Sequence, residues 1–195
     1  MRTASITRAT KETDIALTLN LVGSGKAAVS TGVGFFDHML DAMSRFALID
    51  LELRCAGDTF VDAHHTVEDA GICIGQAIRA ALGDRAGIRR VGSAYLPMDE
   101  ALAFAAIDIS GRPYLAWDAA FTAPMCGQMD TQLAEEFFRA VCVHAGLTLH
   151  MRLLAGRNDH HKMEALFKAF GLALRDAAAA DPRVTGVLST KGALD

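Results

Sequence analysis

The chain has 195 residues, of which 51% are hydrophobic and 22% charged, and its formal net charge is -4. This is the composition of a globular protein with room for one sizeable core, or for two smaller lobes that share one. The acidic balance excludes a global basic field that would hold a nucleic-acid backbone or an anionic membrane, so any bound phosphate must meet local cations.

The sequence predicts neither a signal peptide nor a membrane span. The N-terminal segment lacks the continuous apolar core of a signal peptide, and no run approaches the roughly 18 apolar residues of a membrane span. The four cysteines, Cys55, Cys73, Cys126 and Cys142, form no CxxC pair. Scattered thiols are typical of reduced cysteines in a cytoplasmic protein, and we predict that location.

Hydrophobic periodicity gives the elements of the first half of the chain. Apolar and polar residues alternate in DIALTLNLVG as in a strand, and Gly23 with Gly25 predicts a hairpin to the next strand. The predicted elements are a strand over 14–23, a strand over 26–31, a helix over 35–46, a strand over 48–57 and a helix over 65–83.

The second half follows a similar order. Residues 93–119 predict two strands joined through ISGRPY. A helix over 130–145, a strand over 147–154 and a helix over 161–180 follow, and Pro182 ends the last helix.

An internal repeat underlies this order. HHKMEALFKAFGLALRDA from His160 matches HHTVEDAGICIGQAIRAA from His64 at seven of 18 positions, and Leu51 and Leu53 upstream match Leu147 and Leu149. Two copies of a strand feeding a helix through HHxxE predict a duplicated α/β (α+β) fold. Its two similar lobes, about 1–92 and 93–195, would each carry a sheet and long helices and together form one catalytic domain.

The repeated HHxxE motif indicates metal ligands. On a helix His64 and Glu68 lie on one face with Cβ atoms about 6 Å apart, a spacing that two ligands of one ion can bridge. His65 points about 100° away, so adjacent histidines suggest two metal sites. The second copy supplies His160 with Glu164 for one site and His161 for the other. Imidazole and carboxylate without thiolate suit Mn, Fe or Zn rather than Ca or Mg.

Other interpretations of the motif stay open from the residues alone. HHxxE is also compatible with a solvated helix start, although two copies in register weaken that interpretation. A di-metal hydrolase would use similar ligands but usually needs a carboxylate bridging ions about 3.5–4 Å apart. A metal-storage or purely structural metal protein would bind the ion without binding an imidazole compound.

Five motifs in order resemble the imidazoleglycerol-phosphate dehydratase family of histidine biosynthesis. They are FFDHMLDAMSRF, DAHHTVEDAGI, SGRPYL, GRNDHHKMEALFKAFGLALR and STKG. The resemblance extends from about Thr7 to Gly192. It implies two Mn(II) ions per site and trimers that assemble into an octahedral 24-mer with sites between subunits.

The resemblance also implies roles for individual residues. The ligands of one ion would be His64, Glu68, His160 and Glu164, and three ligands of the other would be His38, His65 and His161. Glu12 matches the acid/base residue, and Asp99 matches a second carboxylate near the reacting carbons. The residues that match the phosphate-binding set are Arg90, Arg112, Ser189 and Lys191.

One position departs from the family pattern. The fourth ligand of the second ion is usually a histidine before a Phe-Phe pair, and this sequence has Glu136 there, in AEEFFRA. Glu136 lies 24 residues before His160, much as His38 lies 26 before His64, so we predict that Glu136 is the ligand. His144 is the competitor, but both His144 and His150 lack a repeat counterpart and are interpreted as structural. Asp69, which corresponds to Ala165 in the second copy, is interpreted as a supporting carboxylate or a helix-start charge.

The resemblance implies removal of water from D-erythro-imidazole-glycerol phosphate to give imidazole acetol phosphate. The proton on the carbon next to the phosphate-bearing carbon is not acidic, so its direct abstraction would be slow. With two metals on its ring nitrogens the imidazole can exist as imidazolate and expel the adjacent hydroxyl, giving a diazafulvene-like intermediate. Glu12 would then shuttle a proton, and the enol product would tautomerise to the ketone.

Overall fold

The first lobe is a four-stranded sheet with two helices on its inner face. The computed structural model describes residues 2–194. The strands lie in the order β1-β2-β4-β3, with β3 parallel to β4 and the other pairs antiparallel. The elements are β1 (Thr3–Ala9), β2 (Thr13–Asn20), β3 (Ala27–Ser30), α1 (Gly34–Ala47), β4 (Asp50–Gly57) and α2 (His64–Leu82).

The second lobe repeats this arrangement. Its sheet has the order β5-β6-β10-β7, again with one parallel pair, and a short β8-β9 hairpin is inserted before its first helix. The elements are β5 (Val91–Met98), β6 (Ala101–Asp108), β7 (Tyr114–Asp118), β8 (Met125–Cys126), β9 (Met129–Asp130), α3 (Leu133–Ala145), β10 (Thr148–Ala155) and α4 (Asp159–Ala178). The predicted duplicated α/β fold is confirmed.

The strand registers define which residues correspond between the lobes. From β2 to β6 the offset is 88 residues, and from β4 to β10 it is 98. The helices that carry the histidine pairs are offset by 96, so the second lobe has two residues fewer between its last strand and last helix. The predicted match of Leu53 with Leu149 is therefore two residues out: Leu53 pairs with Leu17, and its counterpart Met151 pairs with Ala105.

Three strand predictions need correction. Strand β1 was missed because TASITRA is an edge strand with a single large apolar residue, Ile6. The hairpin predicted at Gly23 and Gly25 is wrong, because β3 runs parallel to β4 through the α1 crossover and β2 instead pairs with β1 and β4. The stretch 93–108 is two antiparallel strands rather than one, because the chain turns at Asp99, whose φ is +48°.

The helices cross between the lobes. Helix α1 packs against α4 and helix α2 packs against α3. Glycines permit both contacts: a Cβ atom at Gly171 would lie 2.6 Å from the carbonyl oxygen of Met43, and one at Gly75 would lie 2.8 Å from that of Val141. Both lobes therefore share one hydrophobic core, and side chains of α1 reach the start of α4.

The cysteines are free thiols in the described residues, as predicted. Burial raises the pKa of Cys73 to about 11 and that of Cys142 to about 12, which leaves both thiols protonated at neutral pH. Among residues 2–194, the helices are too short or too polar to cross a membrane.

Candidate metal centre

Both HHxxE segments lie at the N-terminus of a long helix. The Asp62 carboxylate accepts the backbone N–H of His64 at 2.7 Å, and the Asn158 side chain accepts those of His160 and His161 at 2.9 and 3.3 Å. Side chains that accept from first-turn N–H groups stabilise a helix start, so each histidine pair is fixed in the first turn. The sequence analysis missed Asp62 and Asn158, although each lies two residues before its histidine pair and the repeat could have shown them.

Three side chains that could ligate a metal ion meet between α1 and α4. The Nε2 atoms of His38 and His160 lie 3.3 and 3.2 Å from Glu164 Oε2, and one ligand atom from each residue lies within 4.8 Å of the other two. The Phe35 ring packs edge-on against both imidazoles. The arrangement presents two imidazoles and one carboxylate to a common point.

The Glu164 carboxylate is held from its other side. Its Oε1 atom lies 2.5 Å from the Lys168 ammonium, one helical turn later, so Oε2 is left to face the histidines. Burial acts to raise the pKa of Glu164, but the hydrogen bond and charge of Lys168 outweigh it, and the pKa is lowered. The carboxylate is therefore ionised at neutral pH and competent to bind a cation.

The predicted grouping of His38 needs correction within one chain. We expected His38 beside His65 and His161, and His160 with Glu164 beside His64 and Glu68. The structure instead brings His38 to His160 and Glu164, because α1 of the first lobe packs on α4 of the second. A sequence repeat identifies equivalent residues but does not reveal which helices exchange partners.

Two of the three equivalent residues of the other helix pair line a cavity at the N-terminal ends of α2 and α3. His64 Nε2 lies 3.6 Å from Glu68 Oε2, and both His64 and Glu136 line the cavity. Glu136 is the counterpart of His38, at the same 98-residue offset as the strands, and its Oε2 atom lies 3.7 Å from the Arg139 guanidinium. His64, Glu68 and Glu136 are thus the counterparts of His160, Glu164 and His38.

The second histidine of each pair is held by a carboxylate that the sequence analysis did not identify. His65 Nδ1 lies 3.1 Å from both Asp58 oxygens, and His161 Nδ1 lies 2.8 Å from Glu100 Oε2. These hydrogen bonds raise the pKa of His65 and of His161. The same contact lowers the pKa of Glu100 to about 2.

The two predicted catalytic carboxylates face the opposite ring nitrogens. Glu12 Oε1 lies 3.8 Å from His65 Nε2, and Asp99 Oδ2 lies 3.9 Å from His161 Nε2. Both carboxylates lie in the turns that join the first two strands of their sheets. The structure therefore brings Glu12 and Asp99 to the two histidine pairs, as their predicted roles require.

The residues predicted to bind phosphate line one surface cavity. Arg90, Arg112, Ser189 and Lys191 share it with Arg183, which the sequence analysis did not single out. The Arg90 guanidinium is already bonded to Asp108 at 2.7 and 2.9 Å and to the Leu188 carbonyl oxygen at 2.7 Å. Arg90 therefore also anchors the C-terminal segment, and the Arg183 guanidinium is paired with Asp181 at 2.9 and 2.6 Å. Arg112 and Lys191 make no ion pair within residues 2–194 and remain available to an anion.

The remaining polar residues have structural surroundings. His144 packs against Gly75 where α3 meets α2, and burial, together with the Arg8 charge, lowers its pKa. Asp69 is buried, accepting from the Arg8 guanidinium at 2.8 Å and from the Thr13 hydroxyl at 2.5 Å. It supports the packing of α2 on β1 and β2 rather than charging the helix start.

Comparisons with known proteins identify the family to which the chain is similar. A profile described as imidazoleglycerol-phosphate dehydratase matches residues 31–174. An imidazoleglycerol-phosphate dehydratase of Symbiobacterium thermophilum is 61% identical over 99% of this chain and 93% of its own length. One from Desulfitobacterium hafniense is 58% identical over 100% of this chain and 99% of its own.

Solved structures share the fold. The imidazoleglycerol-phosphate dehydratase of Staphylococcus aureus superposes with a TM-score of 0.84 at 39% identity, covering 92% of this chain and 99% of that one. The Pyrococcus furiosus enzyme, solved in complex with (S)-C348, gives 0.84 at 35% identity, covering 97% and 100%.

These relatives place the chain among the hydro-lyases, the carbon–oxygen lyases that remove water. It belongs to the imidazoleglycerol-phosphate dehydratase family.

Proposed function

We propose that the chain removes water from D-erythro-imidazole-glycerol phosphate and forms imidazole acetol phosphate in histidine biosynthesis. Family membership supports the reaction, and the observation that carries the proposal is the cluster of His38, His160 and Glu164. A biosynthetic role agrees with the cytoplasmic location predicted from the cysteines, which stays a prediction.

The residues fit a pair of Mn(II) ions. Two imidazoles and an ionised carboxylate within 4.8 Å are a donor set that suits a borderline divalent ion. The first ion would be held by His38, His160 and Glu164, and the second by their counterparts Glu136, His64 and Glu68. Each set supplies three ligand residues, so a further histidine and the substrate would complete the coordination of each ion.

The further histidine would come from another subunit. His65 and His161 lie outside the three-residue cluster of their own chain, and their Nε2 atoms make no hydrogen bond within residues 2–194. A neighbouring copy could therefore receive them as the fourth ligands. This supports the proposed homo-oligomer, in which trimers form an octahedral 24-mer with sites between subunits.

The residues of the chain would then have separate roles in the reaction. The two ions, when bound, would supply Lewis acidity to the substrate ring. Glu12 takes the proton from the carbon beside the phosphate-bearing one, and Asp99 lies at the equivalent turn of the second lobe. The cavity lined by Arg112, Ser189 and Lys191 holds the phosphate and so orients the carbon chain. The diazafulvene-like intermediate stays a prediction.

A direct assay tests the proposed function. Chelator-treated chain is reloaded with Mn(II) and incubated with the substrate, and mass spectrometry follows the loss of one water. We expect turnover only after reloading, and we expect chelation to reduce the assembly size at the same time, since the ligands come from different subunits. Chain that binds two ions but leaves the substrate intact would instead indicate a metal-storage role.

A further inference from the structure

Each lobe holds one histidine ring by the nitrogen that faces away from the candidate ligand position. In the first lobe Asp58 lies 3.1 Å from His65 Nδ1, and in the second lobe Glu100 lies 2.8 Å from His161 Nδ1. The Nε2 atoms point toward Glu12 and Asp99 at 3.8 and 3.9 Å. Asp58 and Glu100 therefore contact equivalent histidine rings at the same nitrogen, Nδ1.

We propose that Glu100 and Asp58 are positioning residues that present His161 and His65 to the metal through Nε2. The inference rests on the proposed function, in which both histidines are ligands. A neutral imidazole has one N–H and one lone pair, and a carboxylate can only accept, so a carboxylate at Nδ1 assigns the proton to Nδ1. The lone pair is then on Nε2, where a metal ligand needs it.

The two lobes achieve this with different carboxylates. Glu12 and Glu100 are counterparts at the 88-residue offset of the strands. Glu100 Oε1 accepts the backbone N–H groups of Arg157 and Asn158 at 3.1 and 2.7 Å, while its Oε2 holds His161, so both oxygens are engaged. In the first lobe the loop after β4 is two residues longer and its residue Asp58 holds His65 instead.

This exchange leaves Glu12 without a positioning role. Its side chain makes no hydrogen bond within residues 2–194, and it is 54% exposed beside His65 Nε2. One carboxylate of the repeated pair therefore holds a ligand in place, while the other is free to accept a substrate proton.

The Glu100→Gln variant tests the assignment because of how Glu100 is bonded. The two backbone N–H groups fix the amide oxygen at the Oε1 position, so the new NH2 group faces His161 Nδ1 and donates to it. His161 must then carry its proton on Nε2, and the ligand lone pair is lost. In Asp58→Asn no backbone group within residues 2–194 fixes either position, so the amide oxygen can turn toward His65.

The measurement is Mn(II) binding to the chelator-treated full chain, followed by electron paramagnetic resonance of the free ion. We expect two ions per chain in the wild type. In Glu100→Gln we expect one ion to bind as before and the other to bind roughly 10- to 100-fold more weakly, the usual loss when a ligand-supporting group is removed. Asp58→Asn should reduce the Mn(II) affinity less than Glu100→Gln does. Glu52→Gln, at an exposed position on β4, should leave the affinity unchanged.

Three outcomes overturn the inference. Wild-type affinity for both ions in Glu100→Gln removes the positioning role. Equal loss of both ions together with a lower melting temperature of the metal-free chain at pH 9 means that Glu100 is only structural. A larger loss in Asp58→Asn than in Glu100→Gln contradicts the bonding argument. A wild-type chain that fails to bind Mn(II) or to dehydrate the substrate would instead refute the proposed function.

Discussion

The two lobes share their strand order, their helix starts and their crossed helix packing, yet they differ in the carboxylates around the site. The second lobe contributes a buried Glu164 that already faces two imidazoles, whereas its counterpart Glu68 is 44% exposed and faces one. His38 corresponds to Glu136, and Asp69 corresponds to Ala165. The duplicated backbone thus fixes where ligands can lie, and the side chains decide how strongly each position is organised.

The largest effect should come from the carboxylate of the preassembled cluster. Glu164→Gln removes the charge that faces His38 and His160, and we expect affinity for one Mn(II) ion to fall on the order of 100-fold or more, at the upper end of losses seen on altering metal-site residues. Glu68→Gln should reduce the affinity less, because Glu68 is more exposed than Glu164 and faces only one imidazole within the chain. Equilibrium dialysis against a competing chelator measures both, and equal losses would contradict the difference between the lobes.

We expect a stability effect specific to the first lobe at Asp69, a buried carboxylate whose counterpart in the second lobe is Ala165. Asp69→Ala removes the partner of Arg8 and Thr13, and we expect the free energy of unfolding to fall by about 2 kcal/mol, within the range for hydrogen bonds to charged groups and discounted because Arg8 is 35% exposed. Urea denaturation of the metal-free chain measures it. Asp41→Ala, an exposed carboxylate on α1, serves as the control and should change little.

Glu136 offers a smaller test of how alike the lobes are. Glu136→Gln should weaken the binding of one Mn(II) ion roughly 10-fold, and Glu136→His should restore it. His144→Ala should leave the metal content unchanged. Metal analysis of the three purified variants gives the result. Loss of the ion in His144→Ala with both ions kept in Glu136→Gln would assign the position to His144.

The smallest expected effect is a pH dependence of the metal-free chain. The Glu100 hydrogen bond raises the pKa of His161, so its stabilising contribution is complete below the ordinary histidine pKa of about 6.5 and is lost as pH rises through the raised value. Glu100 itself, with a pKa of about 2, stays ionised throughout. Glu100→Gln should therefore lower the melting temperature at pH 6 but not at pH 9, and a pH-independent decrease would contradict this origin.

Much of the fold could be predicted from the sequence, because the helices carry long apolar faces and the repeat identifies equivalent elements in the two lobes. Strand pairing was harder: a hairpin signal at Gly23 looks the same whether the next strand pairs locally or through a crossover. The turn at Asp99 lacks a glycine and was missed for that reason. Local patterns therefore identify elements better than they identify the partners of those elements.

The residues of the candidate site stay a prediction, and their grouping within one chain differs from the one expected from the sequence. His38 joins His160 and Glu164 only because α1 crosses to the other lobe, and no sequence spacing contains that information. Asp58 and Glu100 were missed because a single carboxylate in a loop has no distinguishing sequence pattern. Their importance is visible only once the ring nitrogen that each one holds is known.

The crossed helices also determine when the protein can complete its folding. Met43 on α1 packs against Gly171, which lies 128 residues later in the chain, so the contacts that cover the first lobe are strongly non-local. Chains dominated by such contacts fold slowly because a long loop must close before the contacts form. On the ribosome, the apolar faces of α1 and α2 would stay uncovered until α3 and α4 have been synthesised. The first half of the chain is therefore the part that most needs protection from aggregation during translation.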